Sequence, residues 1–93
     1  MALIISPQIS DKLLKKHGVS HREVEQCFEN RYGRALIDNS EKHKTNPPTM
    51  WFVAPTNRQR VLKIVYIQEH GNIYLKTAYE PSTAVVELYE RHC

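Results

Sequence analysis

The chain has little glycine, little cysteine and no long apolar run, and each shortage excludes something. Its 93 residues include three glycines, Gly18, Gly33 and Gly71, and no two stand close together. A phosphate-cradling glycine loop cannot be built from them, which argues against a nucleotide cofactor. The two cysteines, Cys27 and Cys93, are too few for a disulfide framework. Neither belongs to a Cys-x-x-Cys pair, and no His-Glu-x-x-His motif occurs, so the expectation is no metal and no cofactor. His17 and His21 have the spacing of a helical metal pair, but Gly18 and Ser20 break the helix between them. No apolar stretch approaches the roughly 20 residues of a membrane helix. Met1-Ala2-Leu3-Ile4-Ile5 lacks the basic flank and cleavage site of a signal peptide. The expected location is the cytoplasm, without contact to a membrane.

What is present suits one compact α+β domain over residues 1–93. Apolar residues make up 41% and charged residues 25% of the chain, a composition that supports a single core. Net charge is +3, and its distribution is uneven. Residues 1–30 balance four basic side chains against four acidic ones. Between Arg31 and Ala78, eight basic residues meet only Asp38, Glu41 and Glu69. The stretch from Tyr79 onward is net acidic. Positive charge therefore gathers in the strand-rich part, as expected of a sheet that meets a polyanion. Basic residues at strand edges also suppress aggregation, so charge alone does not decide.

The N-terminal third reads as two capped helices. Ser6-Pro7 opens the first, Ile9, Leu13 and Leu14 form its apolar stripe, and Gly18 closes it in the left-handed conformation. Lys15, Lys16 and His17 suit its negative pole. Ser20 caps the second helix, and Glu23 completes a capping box. Val24, Cys27 and Phe28 point inward, and Asn30 to Gly33 end the helix.

Four strands follow, at Ala35–Ile37, Met50–Ala54, Arg60–Ile67 and Asn72–Ala78, with a polar loop over 39–49. Trp51 and Phe52 occupy successive positions and so face opposite sides, one toward the core and one offered for stacking. Pro81-Ser82 opens a last helix with Ala84, Val85, Leu88 and Tyr89 along one side. The predicted fold is α+β: two N-terminal helices, a four-stranded antiparallel sheet and a C-terminal helix, with all helices on one sheet face. A two-residue turn at His70-Gly71 would set Lys63 opposite Ala78 and Val65 opposite Lys76. Lys63, Tyr74 and Lys76 then share the face left open by the helices, conditional on that register.

Lys16-His17-Gly18-Val19-Ser20, with Glu23 three residues on, resembles the N-terminal signature of the BrnT family. Arg60-Val61-Leu62-Lys63-Ile64-Val65-Tyr66, His70-Gly71-Asn72-Ile73, Thr77-Ala78, and Glu87 with Tyr89 extend the resemblance along most of the chain. That family comprises small bacterial ribonuclease toxins of type II toxin–antitoxin pairs, with a RelE-like fold. The resemblance implies a metal-independent endoribonuclease that cleaves RNA by 2′-hydroxyl attack and is neutralised by an antitoxin, with which it could form a hetero-oligomer. It points to Lys63, Lys76 and Tyr74 as catalytic residues. RNA contacts would come from Arg58, Arg60, Lys42, Lys44 and Tyr79. Two departures stand out: Tyr79 occupies a position where the family carries arginine, and a Pro47-Pro48 loop replaces an arginine-bearing segment. A non-catalytic binding or regulatory module on the same fold is the alternative.

Overall fold

The first helix begins where Ser6 accepts a hydrogen bond from Ile9 N–H and Pro7 fills the first helical position. In a computed structural model that describes residues 2–38 and 45–93, it runs as α1 over Pro7–Lys12. It then widens into a π-helical stretch at Leu13–His17. Gly18 ends it at φ +61°, with the Gly18 and Val19 N–H groups closing on Leu14 and Leu13 carbonyls. The second helix, α2, spans His21–Glu29, and both halves of the Ser20/Glu23 capping box are formed. The third, α3, covers Thr83–His92 behind a Ser82 cap.

Among the described residues the sheet has five strands rather than four, and it is mixed. In sequence order these are β1 (Leu3–Ile4), β2 (Leu36–Ile37), β3 (Thr49–Pro55), β4 (Val61–Glu69) and β5 (Asn72–Tyr79). Their spatial order is β1-β5-β4-β3-β2, with β1 parallel to β5 and every other pairing antiparallel. The additional strand is two residues long, and its partners Ile73 and Tyr74 lie far off in sequence. Neither alternation nor a turn signal can reveal such a strand.

The β4–β5 hairpin forms at the expected turn. His70 and Gly71 both have positive φ, and Glu69 pairs with Asn72 and Ile67 with Tyr74. Beyond Leu75 the register slips by one at a β-bulge, because Lys76 has no opposing residue. Val65 therefore faces Thr77 rather than Lys76, and Lys63 faces Tyr79 rather than Ala78. The bulge also reverses which later residues of β5 enter the core. Ala78 is fully buried, whereas Tyr79 is only partly so.

The helices divide between the two sheet faces, which corrects the expectation of one-sided packing. Phe28 of α2 meets Phe52 and Tyr66 edge-on, with ring centroids 4.9 and 5.4 Å apart. On the opposite face, Tyr89 of α3 packs 5.6 Å from Trp51. Trp51 and Phe52 are consequently both buried, and neither is a free stacking platform. Leu88, expected to face inward, is 42% exposed; Tyr89 supplies the buried contact.

Candidate functional site: a basic cleft beside Trp51

Lys63 is the centre of the candidate site. Its ammonium lies 4.6 Å from the Trp51 ring centroid and 5.9 Å from that of Tyr79. This follows from the sheet register: Trp51 faces Val65, so Lys63 lies diagonally across the β3–β4 ladder on the same side. Tyr79 is its direct partner across β4–β5. Among the described residues Lys63 has no carboxylate partner. The ring faces attract the half-buried ammonium but leave its charge uncancelled.

The ammonium borders a cleft of about 700 Å³ between the β2 edge of the sheet and α3, whose walls include Arg34, Trp51, Leu88 and His92. Tyr89 fixes the cleft's width. Its hydroxyl donates to the Arg34 carbonyl at 2.9 Å, while the Arg34 guanidinium donates to the His92 carbonyl at 3.3 and 3.4 Å. Burial pushes the Tyr89 hydroxyl up to about 12, so it remains a donor through the neutral range.

The other expected site residues scatter. Tyr74 is 39% exposed and opposite Ile67, four positions along β4 from Lys63. At roughly 3.3 Å per residue, that is about 13 Å from Lys63. Lys76 is exposed at the bulge between them. Arg58 sits on the Thr56–Arg60 turn and lines a separate polar recess with Arg22 and Asn57. Lys42 and Lys44 lie outside the described residues.

Arg60 has a different occupation from the one expected of an RNA contact. Its guanidinium reaches Glu80 through Nε and Nη2, both at 2.9 Å. Nη1 reaches the Gly18 carbonyl at 2.8 Å and Glu23 at 3.0 Å, and Nη2 reaches the His17 carbonyl at 2.9 Å. Four hydrogen bonds and the second contact to Glu80 therefore engage the guanidinium within the fold. Sequence reasoning overlooked Arg34 and His92 as site residues. Their approach depends on how α3 docks, and no local pattern encodes that.

Among the described residues no group of three His, Cys, Asp or Glu side chains could hold a metal ion. No described helix is long and apolar enough to cross a membrane. Neither a family model nor a curated protein matches the chain in sequence. Among solved structures, the Brucella abortus ribonuclease toxin BrnT superposes with a TM-score of 0.62, covering 89% of this chain and 99% of that chain. The fold is that of BrnT. Sequence identity to BrnT is 10%, so the likeness concerns architecture and leaves the chemistry to be argued from the residues.

Proposed function

We propose that the protein is a BrnT-like toxin of a bacterial type II toxin–antitoxin pair. In this reading it is a metal-independent endoribonuclease that acts in the cytoplasm and is neutralised by a partner protein. The observation that carries the reading is Lys63, an ammonium held over Trp51 with no described carboxylate partner, beside a cleft in a BrnT-like fold.

The chemistry needs a base for the 2′-hydroxyl, positive charge at the crowded phosphate and an acid for the leaving oxygen. Lys63, held over the Trp51 ring, supplies positive charge to the phosphate. Lys76 takes the 2′-hydroxyl proton as the base. The 2′-oxygen then bonds to phosphorus and the bond to O5′ breaks, while the Tyr79 hydroxyl gives its proton to O5′. The products are a 2′,3′-cyclic phosphate and a 5′-hydroxyl. Tyr74, about 13 Å from Lys63 by strand spacing, stacks on a neighbouring base rather than joining the proton transfers. Arg58 contacts phosphate further along the strand.

The non-catalytic reading draws support from Arg60, whose guanidinium makes four hydrogen bonds within the fold, and from Tyr79, which stands where the family carries arginine. Induced expression separates the two. The toxin reading expects growth arrest and fragmented RNA with cyclic-phosphate ends, both lost in Lys63→Ala. Intact RNA in arrested or growing cells would favour the binding module.

A further inference from the structure

We infer that His17 is a positioning residue for Tyr79, holding its phenol beside Lys63 in the orientation from which the hydroxyl gives up its proton. In that role His17 rests on the toxin reading, in which Tyr79 is the acid. The two rings lie 5.6 Å apart between centroids, with their planes inclined by 34°. The Lys63 ammonium stands 5.9 Å from the same Tyr79 ring. Tyr79 therefore meets an imidazole from the first helix and an ammonium from β4.

Tyr79 needs an outside support because of where β5 leaves it. It is the last residue of the strand and half-buried, while Ala78 beside it takes the fully buried place. A side chain at such a position keeps rotamer freedom unless a neighbour restricts it. His17 is well fixed for that task. The π-helical stretch Leu13–His17 ends on it, and Gly18 turns the chain at φ +61° directly after it. Arg60 Nη2 then holds the His17 carbonyl at 2.9 Å. A π-helical turn shifts the residues that follow it away from regular helical spacing, and such turns gather at functional sites. Core packing does not demand the ring contact, since Leu13 and Val19 fill the interior on either side of a half-buried His17. No proton passes through the imidazole in this scheme. Its contribution is the orientation of the Tyr79 hydroxyl.

The test is a double-mutant cycle in single-turnover RNA cleavage, comparing wild type, His17→Ala, Tyr79→Phe and the double variant. His17→Ala should lower the saturating rate by about tenfold or more and leave the half-saturating concentration little changed. In the Tyr79→Phe background, which keeps the ring but has no hydroxyl to orient, the same substitution should cost nothing further. His17→Phe restores a ring and should return the rate to near wild type. A merely structural role would weaken both backgrounds alike, and melting curves check that every variant folds. Equal losses in both backgrounds, or His17→Phe as slow as His17→Ala, would overturn the inference. A second readout needs no catalysis: nuclear Overhauser contacts between the Tyr79 ring and the Lys63 side chain. These should weaken in His17→Ala and persist in His17→Phe, and contacts unchanged in His17→Ala would overturn the inference whether or not RNA is cleaved. Wild-type protein that cleaves no RNA, with ring contacts that respond as expected, defeats the toxin reading alone. Wild-type cleavage at a rate indifferent to His17→Ala defeats this inference alone.

Discussion

Arg60 Nη1 lies 3.0 Å from Glu23 Oε2, and this ion pair ties the end of the sheet to the junction between the first two helices. The same guanidinium holds the His17 and Gly18 carbonyls and the Glu80 carboxylate. It therefore satisfies acceptors at a helix C-terminus that the capping glycine leaves open. Arg60→Ala should lower stability by about 2 kcal/mol, more than an ordinary surface pair, because several acceptors lose their donor together. Arg60→Lys should recover little of this, since an ammonium cannot span the same fork of acceptors. Urea denaturation of the three proteins checks both outcomes.

Glu23 gives this junction a pH dependence. Burial pushes its carboxyl up, but the Ser20 N–H bond and the Arg60 guanidinium outweigh that and hold it below the usual carboxylate value. A depressed folded-state value means the stabilisation is complete above the ordinary glutamate range, near pH 4.3, and is lost as pH falls through the folded value. Glu23→Gln should flatten the acid limb of stability against pH and leave the neutral-to-alkaline side unchanged in shape. An identical acid limb in the variant would assign the effect to other carboxylates.

Where local chemistry decides the fold, the sequence is readable. Ser6-Pro7, Gly18, the Ser20/Glu23 box, Ser82 and the His70-Gly71 turn each act through their immediate neighbours, and all take the expected conformations. The bulge at Lys76 is not readable, because nothing around it departs from strand alternation until the partner strand is known. The short β1 and the position of α3 on the second sheet face depend on contacts across most of the chain length. The site shows the same division. Lys63 can be singled out by strand alternation, whereas its neighbours Tyr79, Arg34 and His92 arrive through the bulge and through α3.

Gly18 offers a test of backbone conformation free of packing. At φ +61° it has no atom within 4 Å of where a Cβ would stand. Gly18→Ala should therefore cost on the order of 1 kcal/mol through the left-handed backbone alone. Gly18→Asn should cost less, because asparagine tolerates that region better. Equal melting temperatures for Gly18→Ala and the wild type would mean the junction relaxes out of the left-handed conformation.

The two thiols should report the integrity of the core. Cys27 is buried against the Ala54 carbonyl at 3.4 Å, and burial pushes its thiol up to about 12. Cys93 is exposed. Because the thiolate is the reactive form, iodoacetamide at pH 8 should label Cys93 in the native protein and reach Cys27 only on unfolding. Peptide mapping after labelling distinguishes the sites. Rapid labelling of Cys27 under native conditions would indicate that α2 opens from β3.

The register of the hairpin makes the last prediction specific. Lys63 faces Tyr79 and lies over Trp51, whereas Lys76 and Tyr74 are displaced along β5 by the bulge and by strand spacing. If Lys63 neutralises the transition-state charge, Lys63→Met should lower the rate of RNA cleavage by about 10²-fold or more. Its effect on stability should stay near 1 kcal/mol, the worth of a partly buried cation–π contact. Tyr79→Phe should lower kcat with little change in KM, because it removes a proton donor and keeps the ring. Lys76→Met should remove the general base and lower kcat by about 10²-fold or more with little change in KM. Tyr74→Ala should instead raise KM, because base stacking contributes binding worth about 1–3 kcal/mol. Single-turnover cleavage of a short RNA measures all four. Unchanged kcat in both Lys63→Met and Tyr79→Phe would remove this face of the sheet from the chemistry.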